Sequence, residues 1–142
     1  MWRNELGNGR RSVDEPISSV DLPVTICALA GCSLDDPDGR DISALITGAK
    51  GKLGRTYLYI EMLKPRHTMK PWYGLVTTRA YDADMIFQYV EYKSGARELY
   101  NLTNDPHRLN NLAKKQWQAH RVKALHKKLH NQVVIPDGVK LR

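Results

Sequence analysis

The sequence contains few cysteines, almost no phenylalanine and no long apolar run. Its 142 residues include two cysteines and one phenylalanine, and no apolar stretch approaches the roughly 20 residues that a membrane-spanning helix needs. The first residues, Met-Trp-Arg-Asn-Glu-Leu-Gly-Asn-Gly-Arg-Arg, do not have the apolar core of a signal peptide. We therefore expect no membrane partner, and the sequence assigns the chain to no compartment.

The two cysteines do not form a recognisable metal or redox motif. Cys27 and Cys32 are five residues apart, whereas redox and zinc motifs typically use Cys-x-x-Cys spacing. Histidines do not cluster around them. We predict that both are small apolar side chains in the interior; a disulfide between them is the less favoured alternative.

Two further patterns are candidates for metal sites. Asp35, Asp36 and Asp38 are close in sequence, but the terminal glutamate of a calcium loop is missing. This absence favours a turn. His126 and His130 are four apart and could bind a metal as a pair on one helix face. Because the sequence shows no third ligand, the surface of a helix is the preferred interpretation. We predict no metal ligand and no cofactor in this chain.

The positive charge is concentrated at one end of the chain. The formal net charge is +7, with 42% hydrophobic residues and a mean hydropathy of −0.51. Residues 1–100 carry 13 basic and 13 acidic residues, whereas residues 101–142 carry 9 and 2. Charge runs of this kind are usually solvated helix faces, and the alternative is a surface for nucleic acid or an anionic glycan.

The apolar periodicity predicts an α+β fold. Four runs rich in aromatic and β-branched residues are joined by short connections, which is typical of an antiparallel sheet of consecutive strands. An amphipathic helix follows and is expected to cover one face of the sheet. The predicted strands are Arg55–Met62, Trp72–Thr78, Met85–Tyr92 and Ala96–Tyr100, and the predicted helix is Lys114–Asn131.

Residues 97–113 combine a strand end, a turn and a helix start. Arg-Glu-Leu-Tyr alternates polar and apolar side chains, and Asp105-Pro106 has the residue types of an N-cap and a first helical position. Leu109 and Leu112 would fall on one face of that helix. The pattern predicts a strand–turn–helix corner with no catalytic chemistry of its own.

The same residues, ELYNLTNDPHRLNNLA, resemble the signature ELYDL-x-x-DP-x-E-x-x-NLA near the C-terminus of the sulfatases, in the alkaline-phosphatase superfamily. The resemblance extends to arylsulfatases and N-acetylglucosamine-6-sulfatases. Asn101 stands in place of Asp, and Arg108 in place of the Glu that would complete a capping box with Asp105. Residues 87–100 resemble rYKYveY-x-x-G-x-rELYdL, with Gln88 in place of Lys, and residues 81–84 look like an insertion.

An earlier segment resembles another element of the family. Residues 18–31 predict a short, largely buried helix that ends at Gly31, and they resemble the helix that closes the sulfatase α/β catalytic domain. By this resemblance residues 17–50 are the C-terminal edge of that domain, and 51–132 are the C-terminal subdomain. Residues 1–16 are a loop or disordered lead-in, and 133–142 a tail. Val24, Ile26 and Leu29 would form an apolar patch where the catalytic domain packs.

The resemblance implies a hydrolase for sulfate esters of sugars or aryl compounds. In that family a formylglycine, made from Cys or Ser in C/S-x-P-S-R, is the nucleophile, and calcium is held by Asp and Asn side chains. The chain contains no C/S-x-P-S-R, no N-terminal Asp-Asp metal element and no Asp-His-Gly followed by Lys. We therefore predict a C-terminal sulfatase fragment that is inactive alone and has the catalytic domain as its partner.

Two smaller features complete the prediction. Arg66, His67 and Lys70 lie in a loop between the first two strands, where a sulfatase subdomain can reach toward the substrate, so they are candidates for binding an anionic or sulfated sugar. A solvated basic loop is the alternative.

Asn101 starts an Asn-Leu-Thr glycosylation triplet. The competing function is a small basic module that binds a polyanion, with RNA less favoured because no RNA-binding fingerprint is present.

Overall fold

The computed structural model describes residues 13, 15–49, 51–62 and 70–132. These residues divide into two compact units, the first reaching Arg55 and the second starting at Thr56. Among the described helices, none combines the length and the apolar character needed to cross a membrane.

The first unit contains two helices. Helix α1 is Asp21–Leu29 and helix α2 is Ser43–Thr47. Helix α1 ends as the sequence predicts, because Gly31 adopts a φ of 77°, which is favourable for glycine and costly for residues with a Cβ atom.

Cys27 and Cys32 form a disulfide, with Cα atoms 4.9 Å apart. The preference for two unbonded cysteines was therefore wrong. The reason is the chain reversal at Gly31, which follows the end of α1 and returns Cys32 toward the last turn of the helix. Residue spacing alone does not show such a reversal.

The second unit is a four-stranded antiparallel sheet covered by a C-terminal helix, so the predicted α+β fold class is confirmed. The strands lie in the order β1-β2-β3-β4, each paired with the next along the chain. A 3₁₀ helix, Gln116–Gln118, precedes α3, Ala119–Gln132. The strands are β1 Tyr57–Met62, β2 Trp72–Thr77, β3 Phe87–Tyr92 and β4 Arg97–Asn101.

The core of the second unit lies between the sheet and α3. Alternate residues of β2, β3 and β4 point to the same face, as the two-residue period of a strand requires. Residues three and four apart on α3 meet this face. The buried cluster consists of Tyr73, Leu75, Phe87, Tyr89, Leu99, Val122, Leu125 and Leu129.

The hairpin between β3 and β4 also agrees with the prediction. Gly95 has a φ of 83°, and its N–H donates to the Tyr92 carbonyl at 2.8 Å, while the Tyr92 N–H donates to the Ala96 carbonyl at 2.9 Å. A glycine at this position avoids the steric cost of a positive φ.

The prediction of a helix starting at Asp105-Pro106 was wrong. The Asp105 carboxylate does accept two backbone N–H bonds, from Leu109 at 3.0 Å and Asn110 at 2.8 Å, but they close a turn. Arg108 has a φ of 57°, which no α-helix contains. Leu109 is therefore 79% exposed.

After this turn the chain returns to the edge of β4. The Leu112 N–H donates to the Leu99 carbonyl at 2.8 Å, and the Asn111 side-chain oxygen accepts from the Leu99 N–H at 3.1 Å. These bonds delay the helix to Ala119, five residues later than predicted from Lys114. Gln118 is consequently buried, and Ala119, the first residue of α3, is exposed.

We predict that Leu125→Ala will destabilise the second unit by about 2–5 kcal/mol, because it leaves a cavity in a fully buried position. Lys123→Ala, an exposed change on the same helix, serves as the control and should alter stability by less than about 0.5 kcal/mol. Urea unfolding followed by circular dichroism measures both. Equal losses from the two variants would contradict the packing described above.

Candidate functional site

A buried ion pair joins three segments of the first unit. Asp21, the first residue of α1, is fully buried and accepts two hydrogen bonds from the Arg55 guanidinium, at 2.7 and 2.8 Å. It also accepts from the backbone N–H groups of Ser18, at 2.7 Å, and Arg40, at 2.8 Å. The carboxylate therefore holds the start of α1, the loop before α2 and the end of the unit together.

These contacts keep Asp21 ionised. Burial alone would raise its pKa, but the Arg55 guanidinium and the backbone N–H groups of Arg40 and Ser18 outweigh burial and lower the pKa to about 2. Because both carboxylate oxygens are fully engaged, this pair organises the fold, and it offers no proton for catalysis in the neutral range.

The segments around this pair approach very closely. The Thr25 hydroxyl donates to the Asp21 carbonyl at 2.7 Å and accepts from the Ile42 N–H at 3.0 Å. A Cβ atom added at Gly39 would lie 1.9 Å from the Val20 carbonyl oxygen. Only glycine fits there, which explains the glycine of the Asp38-Gly39 turn.

The second unit contains a cluster of three titratable side chains under α3. Glu91 of β3 is 1% exposed, and its Oε2 atom lies 2.8 Å from His126 Nδ1 and 3.2 Å from His130 Nε2. The Tyr89 hydroxyl donates to the same oxygen at 3.0 Å. Arg97 Nη2 is 3.6 Å from the other oxygen, Oε1. Polar groups therefore surround a carboxylate that is otherwise excluded from water.

The hydrogen bonds of this cluster also set its charge. Burial would raise the pKa of Glu91, but the bonds from His126, His130 and Tyr89 outweigh burial, and the pKa lies below its ordinary value. Burial and the neighbouring carboxylate raise the pKa of Tyr89 far above its usual range. Glu91 is thus an anion and Tyr89 a neutral donor at neutral pH.

Among the described residues, Glu91, His126 and His130 are the group whose ligand atoms converge, all within 4.8 Å of one another. Two imidazoles and one carboxylate do not suit calcium, which binds 6–8 oxygen ligands. The calcium that the resemblance implies for whole sulfatases therefore has no fitting ligand set in the described part of this chain. No catalytic step through calcium is assigned to it.

The predicted sugar-binding residues are only partly described. Lys70 is exposed and lies two residues before β2, whereas Arg66 and His67 lie outside the described residues. Asn101, the predicted glycosylation residue, ends β4, and its side-chain oxygen accepts from the N–H groups of Thr103, at 3.1 Å, and Asn104, at 3.3 Å. Sugar binding and glycosylation at these positions remain predictions.

Sequence patterns indicate one of the two clusters in part and do not indicate the other. Glu91 was recognisable as the charged member of the Phe87, Tyr89, Glu91 alternation on the buried face of β3. That mismatch predicts a buried carboxylate, and the His126/His130 pair lies on the helix expected to cover it. Asp21 and Arg55 are 34 residues apart, and no periodic pattern connects them.

Comparison with known proteins identifies the family. The family model described as "N-sulphoglucosamine sulphohydrolase, C-terminal" matches residues 2–134. The chain belongs to this family. Among the curated proteins, none matches the chain.

Three solved structures resemble the chain in fold. BT4656, solved in complex with its substrate D-glucosamine-2-N,6-O-disulfate, aligns with a TM-score of 0.65 at 24% identity. A candidate sulfatase from Bacteroides thetaiotaomicron aligns at 0.58 and 25%. The phosphonate monoester hydrolase of Agrobacterium radiobacter aligns at 0.59 and 22%. Each alignment covers 78% of this chain but only 22–23% of the other.

The low pKa of Asp21 predicts a specific acid sensitivity. Because the folded pKa, about 2, lies below the ordinary value of 3.8, the stabilisation is complete above about pH 4 and disappears as the pH falls through 2. At about 1.4 kcal/mol per pKa unit, the contribution is about 2.5 kcal/mol. Amide hydrogen exchange in α1 should show the free-energy difference between wild type and Asp21→Asn shrinking by about 2 kcal/mol between pH 6 and pH 2, because about half of the folded chains still carry an ionised Asp21 at pH 2.

The exposed Asp38 provides the control for this measurement. Asp38→Asn should differ little from the wild type at either pH, because the side chain is solvated in the folded chain. A wild-type advantage over Asp21→Asn that is the same at pH 6 and pH 2 would show that Asp21 does not titrate as inferred.

Proposed function

We propose that this chain acts as the C-terminal subdomain of a sulfatase and works together with a catalytic domain. The observation that carries the proposal is the match of residues 2–134 to a family model of a sulfohydrolase C-terminal region. The solved relatives support it, because the chain spans only 22–23% of their length. The reaction of the whole protein is then hydrolysis of a sulfate ester or a sulfamate.

The chemistry of the chain supports a non-catalytic role for it alone. Sulfatase-type hydrolysis needs an activated nucleophile and cationic stabilisation of the charge that develops on the sulfate group. The 142 residues contain no C/S-x-P-S-R from which a formylglycine could be made. The ion pair of Asp21 and Arg55 is fully occupied with structural bonds, so it supplies no substitute.

An apolar surface of the first unit is suited to a protein partner. On α1, Leu22 is 48% exposed and Ile26 is 60% exposed, one helical turn apart on the same face. Val24 and Leu29, predicted for the same patch, are half-buried. Two more apolar residues of this unit are exposed, Leu34 at 44% and Ile46 at 37%. We assign this surface to the catalytic domain, since exposed apolar side chains on a small unit indicate a contact region.

The substrate class proposed for the whole protein is a sulfated amino sugar. One relative was solved with D-glucosamine-2-N,6-O-disulfate, and the family model carries an amino-sugar name. In this chain Arg66, His67 and Lys70 are the proposed anion-binding residues, and Lys70 is exposed two residues before β2. Cationic side chains at a loop can add affinity for a sulfate group without taking part in its hydrolysis.

Polyanion binding by the basic C-terminal region is the second candidate function. Lys114, Lys115, Lys123 and Lys127 are exposed and are available for such contacts. Other cations of this region already have partners within the fold. Arg121 lies 3.9 Å from the Phe87 ring centroid and Lys128 lies 5.1 Å from that of Tyr57. Because these two cations contact aromatic rings of the same chain, they are less available to a polyanion, and this favours the sulfatase role.

We predict that the purified chain will not hydrolyse aryl sulfates or sulfated sugars, even with added calcium. Losing either the nucleophile or the metal site should cost orders of magnitude in rate. The assay needs material free of host sulfatase. Turnover that is present in the wild type and absent in His67→Ala would overturn the proposal. If turnover is the same in both, we expect contamination by a host sulfatase, and the activity should disappear after further purification.

We also predict that the chain will self-associate through α1 when no catalytic domain is present. Leu22→Ser together with Ile26→Ser should reduce light scattering and the fluorescence of a dye that binds apolar surfaces, because both side chains are exposed. Met85→Ser, an exposed apolar change in the second unit, is the matched control. An equal effect from the control would argue against a contact surface on α1.

A further inference from the structure

The buried carboxylate of Glu91 is unusual for its position. It follows Phe87 and Tyr89 on the inward face of β3, in the layer otherwise filled by apolar side chains of α3. Burying a carboxylate costs free energy unless charges and hydrogen bonds compensate it. Arg97 is the nearest permanent cation, but it is 3.6 Å away and 42% exposed. Compensation therefore depends on the Tyr89 hydroxyl of β3 and on the groups that α3 brings.

Helix α3 brings two imidazoles to the same oxygen. His126 and His130 are one helical turn apart and present different ring nitrogens, Nδ1 and Nε2, to Glu91 Oε2 at 2.8 and 3.2 Å. Their ring centroids are 4.2 Å apart. The two nearest apolar residues of α3, Leu125 and Leu129, are fully buried, so the backbone that carries both histidines is fixed by packing.

We propose that Glu91, His126 and His130 form a binding site for a transition-metal dication, with Zn²⁺ as the expected ion. Zinc binds imidazole nitrogen and carboxylate oxygen at about 2.0–2.2 Å in tetrahedral geometry. Ligand atoms around such an ion are therefore about 3.4 Å apart. The three ligand atoms here lie within 4.8 Å of one another, with two separations of 2.8 and 3.2 Å, so side-chain rotations suffice to admit the ion.

The surroundings also match a metal site. Tyr89 donates to the carboxylate at 3.0 Å and can orient it, as the outer hydrogen bonds of metal ligands commonly do. The hydroxyl of Tyr73, which is paired with Glu91 across β2 and β3, is buried and has no hydrogen-bond partner in the described part of the chain. The polar environment on this side of the sheet is thus larger than the three ligands alone.

The ligand set selects among metals. Two imidazoles and one carboxylate suit Zn²⁺, Co²⁺ and Ni²⁺, whereas Ca²⁺ prefers oxygen ligands alone. His126 is 34% and His130 is 29% exposed, so an ion can enter from solvent and keep a position for water. The ion would connect α3 to β3 and stabilise the folded second unit, because a ligand that binds only the folded state raises its stability.

The test is calorimetric titration of the full 142-residue chain, without a histidine tag and after treatment with a chelator, using ZnCl₂ and in parallel CaCl₂. We expect one equivalent of Zn²⁺ to bind and calcium not to bind. His126→Gln and His130→Gln should each weaken zinc binding by at least about 10–100-fold, the loss typical even of outer-shell changes. Zinc should also raise the melting temperature of the wild type and not that of these variants.

His120→Gln is the matched control, since His120 is exposed on the same helix, and its zinc affinity should equal that of the wild type. Circular dichroism of the metal-free variants establishes that they are folded. The proposal is overturned if the wild type binds no zinc, or if His126→Gln and His130→Gln bind it as tightly as His120→Gln does.

Discussion

The contact between α3 and the inward face of the sheet is the interaction on which the second unit depends. Leu125 and Leu129 are fully excluded from water against the strands, and burying each such side chain contributes about 1.5–3 kcal/mol. A four-stranded sheet of five- and six-residue strands has little other means of covering an apolar face. The position of every other group on that face follows from this packing.

The same packing explains why a carboxylate stays in the interior. A slip of one residue in β3 would expose Glu91, but it would also turn Phe87 and Tyr89 to the other face of the sheet. Both aromatic side chains are fully buried, and the loss of their burial exceeds what Glu91 would gain. The free-energy cost of the buried charge is instead offset by the neighbouring imidazoles, so the apolar register and the polar cluster must be considered together.

Local patterns in the sequence predict the strands and the hairpin. They do not predict contacts between residues that are far apart in the chain. The alternation in the strands and Gly95 in the hairpin are local signals, and both gave correct elements. The helix predicted at Asp105 was wrong because Asn111 bonds to β4, a contact made with a residue 12 positions earlier in the chain. Likewise the ion pair of Asp21 depends on Arg55, 34 residues away. Such pairings depend on the three-dimensional course of the chain, which periodicity does not encode.

Two positions at which this chain departs from the sulfatase sequence pattern contact each other in the structure. By resemblance the family has Lys where this chain has Gln88, and Glu where it has Arg108, and the change to Arg108 removes the capping box with Asp105. The two side chains meet, however, since Arg108 Nε donates to Gln88 Oε1 at 2.7 Å. Opposite charges at the same two positions would also attract. The positive φ of Arg108, 57°, directs the chain away from a helix while its side chain reaches β3. The substitution that removes a capping box therefore provides a hydrogen bond between the turn and the sheet in this chain.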